Sequence, residues 1–150
     1  KGDYIGWTHA DLQTDPKDSL VALDFINNSQ KKMFFKGNRR GRKIFDRFFT
    51  FSMSIFEYII LGELMWDINA QPTIFSRDLY EFWKNPPLDF SLDLFAFYMA
   101  KTNRYNIKRF SVDFPERIYG TSKWNIDFKT KLKFIKRTLK FSMKLKNILK

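Results

Sequence analysis

The segment from Asp3 to Ile26, DYIGWTHADLQTDPKDSLVALDFI, contains a strand pattern, a polar turn and a helix pattern in immediate succession. Its first part, DYIGW, is short, aromatic and β-branched, which predicts a buried strand that ends near Thr8. Asp15 can cap a helix that has Pro16 at its first position. The apolar residues that follow this cap have helical spacing: Leu20, Leu23 and Ile26. A strand followed directly by a helix predicts an α/β fold.

The polar turn between this strand and this helix holds His9, the single histidine of the chain, together with Asp11 and Gln13. Ligands of α/β sheets gather at the carboxyl ends of strands, which is where this cluster falls. Oxygen ligands suit Mg²⁺ or Mn²⁺, which are commonly held by one or two carboxylates and by substrate phosphates. Spacing alone favours an ordinary turn at a strand end over a metal site, so both interpretations stay open at this point.

Further strands and helices alternate along the rest of the chain. In order, the predicted elements are a strand at KKMFFK, a basic loop at GNRRGR, a helix at 43–62, a strand at 73–75, a helix capped by Ser76, a helix at SLDLFAFYMAKTN, a strand at IKRFSVDF, a loop at PERIYGTSKWN and a helix at 128–150. This alternation predicts a layered α/β domain at 1–126, followed by a basic amphipathic helix at 127–150.

The predicted helix at 43–62 is rich in aromatic residues, with Asp46, Thr50 and Glu57 on one of its sides. Another side is apolar and consists of Phe45, Phe48, Phe49, Phe56, Ile59 and Ile60. Glu57 and Glu63 argue against a transmembrane span, because a charge at the bilayer centre costs roughly 2.5–3.5 kcal/mol. The pattern favours an amphipathic helix that rests on the core or lies in a membrane interface.

The charge of the chain is concentrated in its last segment. A chain of 150 residues that is 44% hydrophobic can build one core, and without cysteine it has neither disulfides nor a thiolate zinc site. The net charge is +11, and nine of the 27 Lys and Arg residues lie in 129–150, which leaves 18 against 16 acidic residues in the remainder. A lysine-rich amphipathic helix can bind anionic membranes or nucleic acid, or it can pack on the domain and leave its basic face in solvent. The aromatic helix at 43–62 and the lack of an RNA-binding signature in the sequence favour a membrane.

Several segments, taken in order, resemble a known family. HADLQTDP is similar to the D-A-D-L-Q-x-x-P segment of family 2 glycosyltransferases, especially of the branch with dolichol-phosphate mannosyltransferases and undecaprenyl-phosphate sugar transferases. Four further segments follow in the order of that family: KGNRRGRKIFDR, INAQPTIFSRDLYE, LDLFAFYMA and VDFPERIYGTSKWN. The resemblance covers roughly residues 2–124.

The resemblance implies part of a glycosyltransferase A-type, Rossmann-like domain that lacks the first strands, which bind the nucleotide. It implies sugar transfer from a GDP- or UDP-linked donor to a lipid-phosphate or saccharide acceptor, with the help of Mg²⁺ or Mn²⁺. We therefore expect an enzyme of cell-envelope glycan or glycolipid synthesis that is peripheral at the cytoplasmic face of the membrane. We also expect the 150-residue chain by itself to be inactive or very weak.

The resemblance also implies which residues contact the donor. It assigns Asp11 and Gln13 to the metal on the sugar-nucleotide diphosphate, and it assigns Arg117 and Lys123 to the diphosphate itself. Arg can bind the charge that develops on the leaving diphosphate through two hydrogen bonds, and Lys acts as a point charge. His9 occupies the position of the first aspartate of the family, and a neutral imidazole suits Mn²⁺ better than Mg²⁺.

The acceptor side involves three further segments. The resemblance places Asp93 near the acceptor, where a carboxylate can take a hydroxyl proton or orient the acceptor, although capping of its own helix is an equal alternative. Arg39 and Arg42 can hold an acceptor phosphate or a lipid headgroup, or they can form a solvated loop. Gln71 is expected to shape the sugar or acceptor pocket.

A second hypothesis comes from a different functional class. The chain can instead be a non-catalytic basic module that binds an anionic membrane or nucleic acid through its C-terminal helix. Protection by a sugar nucleotide would distinguish the enzyme from the module.

Overall fold

A computed structural model of the chain describes residues 2–11, 13–27, 32–115 and 128–148, excluding the side chains at 128, 131 and 148. Arg117 and Lys123 lie outside the described residues. The secondary-structure elements in chain order are β1 (Tyr4–Trp7), α1 (Lys17–Asn27), β2 (Met33–Arg40), α2 (Ile44–Leu61), β3 (Thr73–Ser76), α3 (Asp78–Glu81), α4 (Leu92–Thr102), β4 (Asn106–Asp113) and α5 (Phe128–Ile148).

The four strands form one mixed sheet in the order β1-β3-β2-β4. β3 is antiparallel to both of its neighbours, whereas β2 and β4 are parallel. Therefore β1, β2 and β4 point in the same direction, and their carboxyl ends lie at the same edge of the sheet as the amino end of β3. We call this edge the carboxyl edge.

Helices cover both faces of the sheet, which confirms the predicted α/β class. On one face, Ala22 and Ile26 of α1 pack against Met33, Phe35 and Ile74. On the other face, the apolar residues of α4 pack against the sheet residues Phe34 and Phe75, and Leu145 of α5 belongs to the same cluster. The rings of Phe34 and Phe97 are stacked with centroids 5.6 Å apart. Burial of both faces of the sheet drives this arrangement.

The predicted basic loop at GNRRGR is wrong for its first four residues, because β2 continues through Arg40. Parallel pairing with β4 from Gly37↔Phe110 to Arg40↔Asp113 supplies the backbone hydrogen bonds of this segment. Gly37 is required where it stands, since a Cβ atom there would collide with the carbonyl oxygen of Gln71. The chain turns only at Gly41, which has a positive φ of 78°.

Of the two predicted helix caps, one is confirmed and the other is wrong. Asp15 caps α1 as predicted, because its Oδ1 accepts a hydrogen bond of 2.9 Å from the backbone nitrogen of Lys17. The predicted cap at Ser76 is wrong, since Ser76 ends β3 and its hydroxyl accepts a hydrogen bond of 3.2 Å from the backbone nitrogen of Met33. α3 begins after Arg77 without a side-chain cap.

α2 packs on the protein through both polar and apolar residues. Its buried residues are Ser54, Glu57 and Leu61. Ser142 of α5 donates a hydrogen bond of 2.8 Å to Oε1 of Glu57, which ties the two helices together. Within the described ranges, every helix is too short or too polar to cross a membrane.

Candidate functional site

A row of four side chains crosses the sheet where β1 ends and β3 begins, at the middle of the longer strands β2 and β4. Trp7 is in register with Thr73, Thr73 with Lys36, and Lys36 with Arg109. Residues opposite one another in a sheet project from the same face, so the four side chains share the face that α4 covers. The Lys36 ammonium and the Arg109 guanidinium lie 5.8 and 5.9 Å from the ring centroid of Phe97 on α4.

Asp93, in the first turn of α4, is the centre of a buried polar cluster. Its Oδ1 accepts hydrogen bonds of 3.1 Å from both Trp7 Nε1 and Lys36 Nζ. The Thr73 hydroxyl lies 3.3 Å from the same oxygen and accepts a hydrogen bond of 2.8 Å from Lys36. Among the described residues, Oδ2 has one long contact, a hydrogen bond of 3.4 Å from Gln71 Nε2. Oδ2 is therefore the oxygen with the larger unused capacity to accept hydrogen bonds.

Lys36 balances the charge of Asp93 inside the protein. The Lys36 side chain is 0% exposed and that of Asp93 is 9% exposed. Burial lowers the pKa of Lys36, and the charge and hydrogen bond of Asp93 oppose that effect. A buried ion pair with additional hydrogen bonds on both partners holds each group in one orientation. The orientation of Asp93 is thus determined by the sheet rather than by its own helix.

A second polar cluster lies three residues further along β2, about 10 Å from Lys36 at the rise of a strand. Arg39 donates from its backbone nitrogen to Oδ2 of Asp67 at 3.0 Å, and its guanidinium binds both carboxylate oxygens. Arg42 donates to Asp67 Oδ1 at 3.5 Å and to the Thr50 hydroxyl at 2.7 Å. Burial alone would raise the pKa of Asp67, but the hydrogen bonds and charge of Arg39, with Arg42, hold that pKa below its ordinary value.

This second cluster borders an open cleft of about 300 Å³ with a positive lining, which we call the arginine cleft. The charged lining residues are Arg39, Arg40, Arg42, Arg47 and Asp67. Four guanidinium groups against one carboxylate leave an excess of positive charge, which suits a phosphate group. Arg109 links this cleft to the sheet, because its guanidinium donates to the carbonyl oxygens of Trp66 and Gly37.

The loop after β1 holds the three predicted metal ligands. Asp11 is exposed, and its Oδ1 accepts a hydrogen bond of 3.2 Å from the backbone nitrogen of Gln13, as in an ordinary Asx turn. The Gln13 side chain donates to the carbonyl oxygen of Pro115 at 3.2 Å. The His9 ring packs against Phe114 with centroids 5.7 Å apart.

The described ranges contain no group of three His, Cys, Asp or Glu side chains that could hold a metal ion by themselves. Asp11 and the amide oxygen of Gln13 can supply two oxygen ligands, which is the usual protein share of a Mg²⁺ site completed by phosphates and water. The donor chemistry therefore fits Mg²⁺ or Mn²⁺ bound together with a diphosphate, and the metal site stays a prediction.

Phe114 connects the loop after β1 with the arginine cleft. It follows the carboxyl end of β4, and the Arg39 guanidinium lies 5.0 Å from its ring centroid, on a ring that His9 also contacts. Gln71 lies two residues before Thr73, the strand partner of Trp7 and Lys36, and it contacts Asp93. The predicted site residues that the structure describes therefore lie in three groups at the carboxyl edge. The first group is Gln71 with Asp93, and the second is Arg39 with Arg42. The third is the loop that holds His9, Asp11 and Gln13.

Sequence reasoning missed several residues of this region. Trp7, Lys36, Thr73, Asp67 and Arg109 were not predicted as part of a site. Lys36 could have been found, because in the strand MFFKG it shares a face with the buried Phe34 two positions earlier. A lysine on the buried face of a strand requires a carboxylate partner. Asp67 has no comparable signal, since it lies in an irregular segment between α2 and β3.

Comparisons of this chain with protein-family models, with curated proteins and with solved structures give no match.

Proposed function

We propose that this chain carries part of the catalytic site of a family 2-like glycosyltransferase. The enzyme would transfer a sugar from a GDP- or UDP-linked donor to a lipid-phosphate or saccharide acceptor. One observation carries the proposal: residues that the resemblance assigns to one site, although they come from four separate segments, lie at a single edge of the sheet. His9 and Arg39 share the ring of Phe114, and Gln71 contacts Asp93.

The acceptor side of the proposed site has two parts with different chemistry. The arginine cleft around Arg39 and Arg42 is suited to an acceptor phosphate or the phosphate of a lipid headgroup. Asp93 is suited to a hydroxyl acceptor, because Oδ2 has unused capacity to accept its proton. The buried Oε1 of Gln71 accepts no hydrogen bond from the described residues, so an acceptor or sugar hydroxyl can donate to it.

In the proposed reaction, an acceptor oxygen attacks the anomeric carbon of the sugar, and the bond from that carbon to the nucleoside diphosphate breaks. A bound Mg²⁺ or Mn²⁺ would neutralise charge on the leaving diphosphate. Asp11 and Gln13 would hold that ion. By the resemblance, Arg117 and Lys123 would bind the diphosphate oxygens. A phosphate acceptor is already ionised and needs no base, whereas a hydroxyl acceptor gives its proton to Asp93.

The test compares two variants and a control in an extended protein that joins this chain to the donor-binding strands implied by the resemblance. The protein is assayed with Mg²⁺ and with Mn²⁺, alongside the 150-residue chain. Asp11→Ala should abolish metal-dependent sugar transfer, and Asp3→Ala, an exposed aspartate just before β1, is the matched control. Asp93→Asn should lower the turnover with a hydroxyl acceptor by about 10²–10⁴-fold, and far less with a phosphate acceptor. Unchanged turnover in Asp11→Ala would remove Asp11 from the site, and full activity of the 150-residue chain would contradict the proposal that it carries only part of the catalytic site.

A second candidate function is the non-catalytic basic module. The exposed cations of α5 favour it: Lys129, Lys133, Lys136, Arg137, Lys140, Lys144 and Lys146. Vesicle flotation compared with gel shifts of RNA and duplex DNA would identify the partner of this helix. Protection of the extended protein by a sugar nucleotide would show that it is more than a binding module.

A further inference from the structure

The two sides of α2 depart from the polarity expected for a helix on a protein surface. The side that faces the protein buries Leu61 near its carboxyl end, but its other two buried residues are polar, Ser54 and Glu57. The side that faces away carries large apolar residues: Ile44, Phe45, Phe48, Phe51, Ile55, Tyr58 and Ile59. A surface helix normally buries its apolar stripe and exposes its polar one.

The exposed residues of α2 form one continuous stripe. Ile44, Phe48, Phe51, Ile55 and Ile59 follow one another at intervals of three or four residues, which places them along one side of the helix. Ile44 is 84% exposed, Phe48 67% and Ile59 72%. A contiguous exposed patch of this kind marks an interaction surface, because single exposed apolar residues are ordinary but a whole helix face is not.

The charges around the stripe indicate what covers it. Lys43 and Arg47 are exposed at the amino end of α2, next to the arginine cleft. α5 packs against α2 through Ser142 and Glu57, and its exposed side chains include seven cations. A second copy of the chain would bring another net charge of +11 against these cations, and the two copies would repel. A surface of anionic lipids is complementary to them.

We propose that α2 docks on an anionic lipid bilayer, with the apolar stripe Ile44, Phe48, Phe51, Ile55 and Ile59 inserted at the boundary between headgroups and acyl chains. The cations of α2 and α5 lie near the anionic headgroups. Of the two alternatives that the sequence left open for α2, packing on the core or lying in a membrane interface, the exposed stripe favours the second, with α5 contributing charge. The proposal does not depend on sugar transfer, since it rests on the exposed faces of the two helices.

The experiment is flotation of the chain with vesicles of phosphatidylcholine and of phosphatidylcholine with about 30% phosphatidylglycerol. The double variant Phe48→Glu/Ile55→Glu removes two members of the stripe and leaves the buried side of α2 untouched. Leu20→Glu is the matched control, because Leu20 is an exposed apolar residue on α1, at the opposite face of the sheet. Circular dichroism verifies that each variant is folded, and sedimentation without lipid measures self-association.

We expect the unmodified chain to float with the anionic vesicles and much less with the neutral ones. The double variant should lower the bound fraction by roughly ten-fold or more at equal helicity, and Leu20→Glu should leave it within about two-fold. The proposal is overturned if the double variant floats as well as the unmodified chain. It is equally overturned if the unmodified chain forms a lipid-independent dimer that the double variant loses, because the stripe would then be covered by a second copy.

Discussion

Asp93 on α4 and Glu57 on α2 are both buried carboxyl groups, and the protein surrounds them in opposite ways. Asp93 contacts a lysine ammonium, an indole N–H and an amide, contributed by Lys36, Trp7 and Gln71. Glu57 is 0% exposed and accepts one hydrogen bond, from Ser142, while no described residue contacts its Oε2 by a hydrogen bond. Burial raises the pKa of Glu57 to about 7, and the Ser142 hydrogen bond opposes that shift.

The difference shows that the chemical behaviour of a buried carboxyl group depends on its charged and hydrogen-bonding partners rather than on its burial alone. Asp93 has a compensating cation in Lys36, and this pair holds its carboxylate in one arrangement beside the strands. Glu57 has no cation among its described hydrogen-bonding partners, and its folded form holds a proton up to near-neutral pH. Three predictions test this contrast through protein stability.

The largest effect is expected for Lys36→Met. The variant keeps an unbranched side chain one atom shorter than lysine but leaves Asp93 buried without its cation, which should lower the free energy of unfolding by about 3–5 kcal/mol. Urea denaturation at pH 7 measures this change. Lys108→Met is the matched control, because Lys108 is exposed on the neighbouring strand β4. Equal denaturation midpoints for the two variants would show that the ion pair does not stabilise the fold.

The next effect is the pH dependence that Glu57 causes. Between its ordinary pKa of 4.5 and its folded pKa of about 7, the folded state keeps the proton that the unfolded state has lost. The free energy of unfolding therefore falls as the pH rises through this window, by about 3 kcal/mol in total, and the loss is complete above it.

Glu57→Gln should remove this dependence, because the amide does not titrate. We expect stability at pH 8 to rise by about 2–3 kcal/mol and to change little at pH 4.5. Denaturation curves at several pH values from 4 to about 8 measure both effects. Glu81→Gln, an exposed glutamate on α3, serves as the control. A pH profile of Glu57→Gln that matches the unmodified chain would contradict the uncompensated burial of this group.

The smallest effect is expected for Ser142→Ala, which removes the hydrogen bond to Glu57. The loss should be about 1 kcal/mol at pH 5 and larger at pH 8, because a hydrogen bond to a charged carboxylate is stronger. Thermal unfolding at the two pH values compares them. Ser52→Ala is the control, because the exposed Ser52 hydroxyl donates to the Phe48 carbonyl oxygen within its own helix. This variant should change stability by less than about 0.5 kcal/mol. A Ser142→Ala loss that is the same at both pH values would mean that Glu57 does not titrate in this window.

Local pattern was sufficient to predict most of the elements. Alternation and aromatic content predicted β1, β3 and β4, and helical spacing predicted α1, α2 and α4 within a few residues of their ends. The Asp15 cap could be predicted because it depends on residues two apart. The second half of β2 could not, because its hydrogen bonds come from β4, about seventy residues further along the chain.

The sequence predicted several residues of the candidate site but not the contacts between them. The resemblance singled out Asp11, Gln71 and Asp93, but the partners of Asp93 come from strands far apart in sequence. The exposure of the apolar side of α2 was also not predictable. Periodicity identifies that a helix has an apolar side, but it does not say whether that side packs on the protein or faces outward.

The sequence by itself determined the α/β alternation, the position of the basic segment and the polar turn around Asp11, because each depends on neighbouring residues. Only the tertiary structure decided that Lys36 pairs with Asp93, that Arg39 and His9 share Phe114, and that the apolar stripe of α2 faces outward. The physical reason is that strand order and helix packing bring together groups that are far apart in the chain. Burial then selects the pairs that satisfy their charges and hydrogen bonds.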